Sequence, residues 1–306
     1  KACKPFGFRK IRDLKVGDII SSATTGRQQR IIWLHPIEEH DYYRIHFIDG
    51  THYDCSSGHL WQLHLSRKRT KRKDAEGNVC NERIWSARMI HDWICRKKSG
   101  MYKGMNLIIP LCAPVQFTVG NRYKQTKPIE PYVLGALLGD GCITRSVIEA
   151  NAVQLTTMDD EIVQKFMQYG YDMGHSQAKA GSRAKSYMIY NQALVEALCN
   201  LKLSGCDSSN KFIPDQYKLA TIEERKRLIQ GIMDTDGYVD ERGHISYCTT
   251  SRRLADDVAF IIRSLGGIAT VKRNPSGYRD RSGCRVKCND SYDVYIRTRM
   301  NPDLVS

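Results

Sequence analysis

Two short apolar runs, each ending in Asp-Gly, constrain the fold of this chain more than any other feature. Residues 134–141 read Leu-Gly-Ala-Leu-Leu-Gly-Asp-Gly, and residues 229–237 read Ile-Gln-Gly-Ile-Met-Asp-Thr-Asp-Gly. Each run predicts a helix in which Gly135 or Gly231 lets another backbone approach closely, and which ends at the Asp-Gly. If the two helices pack against each other, Asp140 and Asp236 lie side by side.

Two neighbouring carboxylates repel each other unless cations lie between them, and an oxygen-rich site of this kind suits Mg²⁺. The pair therefore predicts a metal site that cuts phosphodiesters. A single run of this type is typical of a buried helix followed by a turn, so the prediction depends on the repetition. Asp234 has Leu138 as its counterpart in the first run, and we expect it to be only a polar residue at a helix end.

The doubled motif resembles the LAGLIDADG family of homing endonucleases, which cut DNA. Strands and helices are predicted in the same order after both aspartates. The segment Asn-Lys-Phe-Ile-Pro at residues 210–214 is similar to the one that leads into the second repeat in this family. The resemblance implies two αββαββ units, called here repeat one (residues 131–205) and repeat two (residues 220–306).

In this family each repeat holds Mg²⁺, or Mn²⁺ in its place, against the phosphate to be cut on one DNA strand. The resemblance implies that Asp140 and Asp236 are the catalytic, metal-binding residues and that the product is a staggered double-strand break. Family members often add a lysine near the metals, and Lys185 and Lys287 match it by position. A lysine that only contacts phosphate would look the same in the sequence.

The basic excess predicts a polyanion as partner, since 47 Lys and Arg stand against 33 Asp and Glu, for a formal net charge of +14. The family resemblance implies double-stranded DNA, read by a sheet of each repeat in the major groove. The candidate DNA-binding residues are Arg67, Lys68, Arg69, Lys71, Arg72, Lys73, Arg145, Gln154, Arg183, Lys272, Arg273, Arg279, Arg285 and Arg297. For the run from 67 to 73 a solvated loop is the alternative.

Residues 1–123 show short β runs punctuated by glycines, a pattern typical of an all-β module. Residues 7–18 and 49–61 resemble two segments of the Hint fold, the self-splicing module of inteins. In the second segment Ser56 and His59 stand where that family has Thr-x-x-His, whose histidine helps to break the upstream peptide bond. An endonuclease nested in an intein, with a host protein (the extein) as its natural partner, is the implied arrangement.

The sequence departs from the intein pattern at both ends. Cys3 aligns within the first strand and not at the splicing nucleophile, and residues 301–306 hold neither the His-Asn pair nor closing strands. We therefore expect this stretch not to splice as it stands, with Ser56 and His59 vestigial. An ordinary surface or core histidine is the alternative for His59.

The predicted fold class is α+β, a mostly-β Hint-like module followed by a pseudo-symmetric LAGLIDADG endonuclease domain. We expect the module to span residues 1–123 with a basic insertion at about 64–123 that contacts DNA, and a helix over residues 84–94. Residues 124–130 would be a linker, and residues 131–306 the endonuclease.

Eleven cysteines include no Cys-x-x-Cys pair, so we expect reduced thiols, and Cys284 with Cys288 lacks the second pair that a zinc site needs. No apolar run is long enough for a membrane span, and the start of the chain does not have the form of a signal peptide. We expect a soluble, intracellular monomer.

Two other functions fit the same residues. One is a LAGLIDADG protein that binds DNA or RNA without cutting it, such as a maturase or a regulator. Members of that type commonly lose one of the acidic residues, and both are present here. The other is a peptide-processing element in which the Hint module dominates.

Overall fold

A computed structural model describes residues 2–4, 7–22, 25–36, 39–48, 50–67, 82–101, 105–117, 127–174, 176–178, 183–275, 277–279, 285–287 and 289–297. The chain forms two compact units, Lys1–Ile32 together with Cys112–Ser306, and Trp33–Leu111. None of the helices described is long and apolar enough to cross a membrane. Free thiols are found at Cys55, Cys95, Cys112, Cys142, Cys199, Cys206 and Cys248, whereas Cys284 and Cys288 lie outside the described residues.

The first strands of the chain form two antiparallel hairpins. They are β1 (Ala2–Lys4) with β2 (Gly7–Arg9), and β3 (Ile19–Ser21) with β4 (Gln28–Arg30). The turn between β3 and β4 contains Gly26, where a Cβ would lie 2.2 Å from the carbonyl oxygen of Pro114. Residues near 114 therefore pack directly on this hairpin.

The unit Trp33–Leu111 contains five strands and one helix among its described residues. They are β5 (Tyr42–His46), β6 (His52–Ser56), β7 (Leu60–Arg67), β8 (Glu82–Ser86), α1 (Ala87–Lys98) and β9 (Met105–Ile108). β5 pairs with β6, and β7 lies between β8 and β9. The helix predicted over residues 84–94 is wrong at its start, because Ile84 pairs with Gln62 in the sheet and Ser86 caps the helix by accepting from Met89 N.

Repeat one begins with the first motif helix and continues into a four-stranded antiparallel sheet. Its elements are α2 (Pro131–Gly139), β10 (Gly141–Cys142), α3 (Arg145–Glu149), β11 (Ala152–Thr157), α4 (Asp160–Gln168), β12 (Ser176–Ala178), β13 (Lys185–Tyr190) and α5 (Gln192–Asn200). The strand order is β10-β11-β13-β12. Alternate residues of β11 and β13, including Val153, Leu155 and Ile189, are fully buried in the core.

Repeat two has a sheet of the same kind. Its elements, with the short helix before it, are α6 (Asp215–Lys218), α7 (Ile222–Asp236), β14 (Gly237–Val239), β15 (Ile245–Thr249), α8 (Arg252–Ser264), β16 (Ile268–Asn274), β17 (Gly277–Arg279), β18 (Arg285–Lys287) and β19 (Ser291–Arg297). The sheet order is β14-β15-β19-β16, and β17 pairs with β18 as a separate hairpin. Both repeats thus run helix, two strands, helix and two strands, with the first strand of each sheet directly after a motif helix.

The motif helices α2 and α7 pack against each other through glycines. A Cβ on Gly135 would lie 2.2 Å from the carbonyl oxygen of Leu228, and one on Gly231 would lie 2.1 Å from that of Tyr132. Further along both helices, a Cβ on Gly139 would meet Oγ1 of Thr235 at 2.0 Å. The contacts advance in the same direction along both helices, so their carboxyl-terminal ends lie at the same end of the pair.

The Asp-Gly sequences end these helices differently from the prediction. Gly237 is extended, with φ −77° and ψ 151°, and Gly141 is not among the glycines with positive φ. A Cβ at Gly141 would lie 2.5 Å from the carbonyl oxygen of Leu137, and one at Gly237 would lie 2.3 Å from that of Met233. Glycine is needed here because the strand starts against the last helical turn, not because the backbone is left-handed.

Candidate functional site

Asp140 and Asp236 occupy corresponding positions at the ends of the helix pair. Asp140 caps the carboxyl terminus of α2, and Asp236 is the last residue of α7. A Cβ on Gly139, the residue before Asp140, would lie 3.4 Å from Oδ2 of Asp236. The structure therefore brings the two acidic residues of the motifs to one place, at the entry of the two sheets.

The two carboxylates lie in an environment that opposes their ionisation. The pKa of Asp140 is raised to about 6, first by burial and then by the negative charge of Asp236, while Lys211 acts in the opposite direction. Burial also raises the pKa of Asp236, again opposed by Lys211. A cation at this place would remove the repulsion and favour both ionised forms.

Lys211 is the positive charge nearest to this pair among the described residues, and its side chain is buried. Its Nζ donates to the carbonyl oxygens of four residues at the end of α2 and the start of β10: Leu137 (3.0 Å), Leu138 (3.0 Å), Gly139 (2.9 Å) and Gly141 (2.7 Å). Three of these are carbonyls that a helix end leaves without a partner inside the helix. The ammonium therefore closes α2 at the point where Asp140 follows.

The backbone around Lys211 is held by repeat two. Ser251 Oγ donates to the carbonyl oxygen of Lys211 at 2.6 Å, and the backbone N–H of Ile213 donates to Asp257 Oδ2 at 3.0 Å. Lys218 neutralises Asp257 from the other side at 2.8 Å. Lys211 thus has its main chain fixed by one repeat and its ammonium fixed by the other.

From the sequence, Lys211 could be assigned only to the segment between the repeats. The available signal was a lysine beside Phe212 and Ile213, in a stretch otherwise suited to the core. A long cationic side chain in such a stretch must find buried acceptors. Its acceptors are some seventy residues away along the chain, so their identity could not be foreseen.

A cavity of about 210 Å³ lies beside Asp236. It is lined by Leu138, Gly139, Ser208, Lys211, Asp236, Cys248, Thr249 and Thr250. The described residues contain no cluster of three or more His, Cys, Asp and Glu side chains that could enclose a metal ion. Two carboxylates with open space beside them fit Mg²⁺, which is commonly held by one or two carboxylates, water and substrate phosphates, and do not fit a closed zinc site.

Asp234 does more than the polar helix end predicted from the sequence. Its Oδ2 accepts from Tyr132 Oη at 2.7 Å and from Lys165 Nζ at 2.8 Å, and the ammonium of Lys165 lies 4.5 Å from the Tyr132 ring centre. Asp234 therefore ties α7 to α2 and α4 one half-turn before Asp236.

The two predicted catalytic lysines lie on strands away from the motif ends. Lys185 begins β13 and is exposed; it shares its strand face with the buried Tyr187 and Ile189. Lys287 ends β18, where its backbone pairs with Gly277. Their catalytic role remains a prediction.

Several predicted DNA-binding residues lie on strands of the two repeats. Gln154 and Lys272 lie on the sheet faces opposite the buried side chains, as does Arg297, and Arg183 is exposed just before β13. Arg279 and Arg285 face each other across the β17–β18 hairpin.

Other predicted contacts are paired or lie elsewhere. Arg145 forms an ion pair with Glu149 at 2.8 Å, and Arg273 donates to Asp290 Oδ2 at 2.6 Å. Arg67 ends β7, whereas the remaining members of the basic run lie outside the described residues: Lys68, Arg69, Lys71, Arg72 and Lys73.

Ser56 and His59 lie in the unit Trp33–Leu111, at the turn between β6 and β7. The His59 ring is 5.4 Å from Trp61 and 6.1 Å from Tyr53, and burial lowers the pKa of its imidazole. A neutral, ring-packed histidine is compatible with either a vestigial splicing role or an ordinary surface position, and the role remains a prediction.

Comparison with known proteins identifies the second repeat. Residues 223–299 match the family model described as a LAGLIDADG-like domain. Repeat two is a LAGLIDADG-like domain. The matched residues run from the first turn of α7 to the end of β19, so they include Asp236 and the whole second sheet.

Curated relatives cover more of the chain than this domain. The replicative DNA helicase DnaB of Mycobacterium intracellulare is 26% identical over 274 residues, which are 86% of this chain and 41% of the helicase. The homothallic switching endonuclease of Saccharomyces cerevisiae is 28% identical over 150 residues, 46% of this chain and 25% of that protein. The chain thus spans less than half the length of either relative.

Solved structures give a weaker likeness. Mesophilic variants of the homing endonuclease I-DmoI are 16% identical, with 56% of this chain and 90% of theirs covered at a TM-score of 0.36. I-DmoI in complex with DNA and Mn gives the same identity and coverage at a TM-score of 0.35. Values this low do not by themselves establish a shared fold.

Proposed function

We propose that this chain is a site-specific endonuclease that cuts both strands of a DNA duplex with Mg²⁺, or Mn²⁺ in its place. The observation that carries the proposal is the meeting of Asp140 and Asp236 at the joined ends of two glycine-packed helices. The LAGLIDADG-like match of repeat two includes one of these two residues. The other stands at the same place in a repeat with the same order of strands.

Each aspartate would hold a divalent cation through its ionised carboxylate. A cation bound there supplies charge neutralisation at the phosphate and lowers the pKa of an attacking water. Because the helices end side by side, the two carboxylates can serve the two strands of one duplex. A staggered double-strand break is the product we expect.

Lys211 would act as a positioning residue. Its ammonium already donates to four carbonyl oxygens, which leaves no proton free for transfer. Its charge offsets the repulsion between Asp140 and Asp236, so it keeps both carboxylates closer to the ionised state that a metal requires. It also fixes the turn from which Asp140 projects.

The sheets would provide the DNA-binding surface. The face of each sheet opposite its buried side chains, called here the outward face, begins next to one of the aspartates because β10 and β14 follow them directly. A formal charge of +14 favours a polyanion. We place the duplex across both outward faces, with the chain acting as a monomer.

We also infer that the endonuclease is carried within a host protein as part of an intein. The match to the helicase covers 86% of this chain but 41% of the helicase, so the β-rich amino-terminal part and the repeats are matched together within a larger polypeptide. The resemblance of residues 7–18 and 49–61 to Hint segments supports the same arrangement. Mass spectrometry of the parent protein would show ligated flanks if splicing is active, and an unspliced precursor if it is not.

The cleavage proposal is tested with purified protein, Mg²⁺ and a plasmid carrying the uninterrupted host-gene junction. Wild type should linearise the plasmid, whereas Asp140→Asn and Asp236→Asn should each lose double-strand cutting and keep their affinity for DNA. Asp256→Asn is the matched control, since Asp256 is an exposed carboxylate on α8 paired with Arg252. Full cutting by either motif variant would reject the assigned centre. Binding by wild type without any cut would favour a cleavage-silent binding protein.

A further inference from the structure

The outward row of repeat one that lies nearest to Asp140 contains three side chains. Strand pairing places Cys142, Gln154 and Met188 side by side across β10, β11 and β13. They alternate with buried residues of the same strands. The row starts two residues after Asp140, so a duplex held at the aspartates would present a base pair close to it.

The corresponding row of repeat two has different chemistry. It starts with Tyr238, two residues after Asp236, and continues through Ser246, Tyr295 and Thr270. All four side chains end in hydroxyl groups, which donate to or accept from any base edge. This row therefore discriminates weakly between base pairs.

Gln154 is the amide of the first row, and it is partly exposed. Its side chain has no hydrogen bond to any other described residue. In the next outward row, by contrast, Thr156 Oγ1 and Ser186 Oγ are 2.9 Å apart and satisfy each other. An amide with a free donor and a free acceptor at one end matches the N6 and N7 atoms of adenine in the major groove.

The neighbours of Gln154 strengthen this match. Met188 lies directly beside it across the strand pair, and an apolar side chain there can contact the methyl group of thymine. No lysine or arginine stands on the outward face of the described strands of repeat one, whereas Lys272 does so in repeat two. Guanine, which is read best by Arg or Lys, therefore has no strand-borne partner in repeat one.

We infer that Gln154 specifies an adenine in the half of the target held by repeat one, with Met188 against a thymine methyl of that region. The inference rests on the proposed function, because it takes the outward faces as the DNA-binding surface. Reading is asymmetric, since the equivalent position in repeat two is Ser246.

The test is selection of bound duplexes from a randomised library by wild type, followed by cutting of the selected duplexes with Mg²⁺. One position in one half-site should be enriched in A·T, by roughly 5- to 150-fold over G·C. Gln154→Ala should abolish the preference at that position alone, and Gln154→Arg should move it to G·C. Ser246→Ala is the matched control and should leave that position unchanged.

The outcomes separate the inference from the proposed function. If wild type cuts a defined site and Gln154→Ala keeps the A·T preference, the assignment of Gln154 is overturned while the endonuclease stands. A preference that disappears equally at all positions also overturns it, because that would show a general effect on the fold or on affinity. If wild type selects and cuts no DNA, both are overturned.

Discussion

Replacing Asp140 by asparagine should stabilise the metal-free protein at neutral pH. The pKa of this carboxyl is raised from 3.8 to about 6, chiefly by burial and next by the charge of Asp236, so the folded protein holds the proton more tightly than the unfolded chain. The stability that this group contributes is present below pH 3.8 and is lost as the pH rises through about 6. Above that range the ionised carboxylate opposes folding, and asparagine does not.

The size of the effect follows from the pKa. A rise of this extent corresponds to about 3 kcal/mol. Asp140 is partly exposed, so water screens part of this energy, and we expect about 1.5 kcal/mol. That gain should raise the Tm by roughly 3–6 °C for a domain of this size.

Thermal unfolding at pH 8 in EDTA measures the difference, with Asp256→Asn as the control that should leave Tm unchanged. At pH 4 the advantage of Asp140→Asn should shrink, because the wild-type carboxyl is then protonated in the folded protein. Saturating Mg²⁺ should reverse the order, since only wild type gains the binding energy, about 2.7 kcal/mol at a hundredfold excess over Kd. If Asp140→Asn is less stable than wild type in EDTA at pH 8, the destabilising effect assigned to the acidic pair is refuted.

Four further outcomes are expected. Gly231→Ala should cost about 3 kcal/mol, because its Cβ would lie 2.1 Å from a backbone oxygen, whereas Gly58→Ala, with no atom within 4 Å, should be neutral in the same unfolding experiment. Lys211→Met should lower stability and move the acid limb of the cleavage profile to higher pH, and an unmoved limb would argue against its effect on the aspartates. In wild type that limb should lie near pH 6 and shift to lower pH as Mg²⁺ is raised, since metal and proton compete for Asp140. Neutralising the six cations of residues 67–73 should flatten the salt dependence of DNA binding by about one unit of slope for each phosphate that the protein no longer neutralises; an unchanged slope would identify the run as a solvated loop.

The helix pair could be predicted from the sequence because its signal is local and repeated. Gly135 and Gly231 stand five residues before an Asp-Gly in both runs, and only glycine permits the observed approach of the backbones. The alternation of apolar residues likewise predicted the strands of both sheets. What local patterns could not give was the way each helix ends, since that depends on how tightly the next strand folds back.

Long-range polar contacts were beyond the reach of the sequence. Asp234 meets Tyr132 and Lys165, which are 102 and 69 residues away, and no spacing rule connects them. Val115 is another case, because its N–H donates to the carbonyl oxygen of Ser264 at 2.8 Å and so joins residues near 115 to repeat two. The linker predicted at residues 124–130 remains a prediction, because most of it lies outside the described residues.

The pairing of Gly139 with Thr235 means that the two halves of this protein are not interchangeable parts. Each stands just before its aspartate, yet the small residue of one helix makes room for the branched residue of the other. A protein assembled from two copies of repeat two would bring two threonines into the same space, and one built from two copies of repeat one would leave a gap there. A chimera or an engineered homodimer must therefore redesign this single contact before anything else.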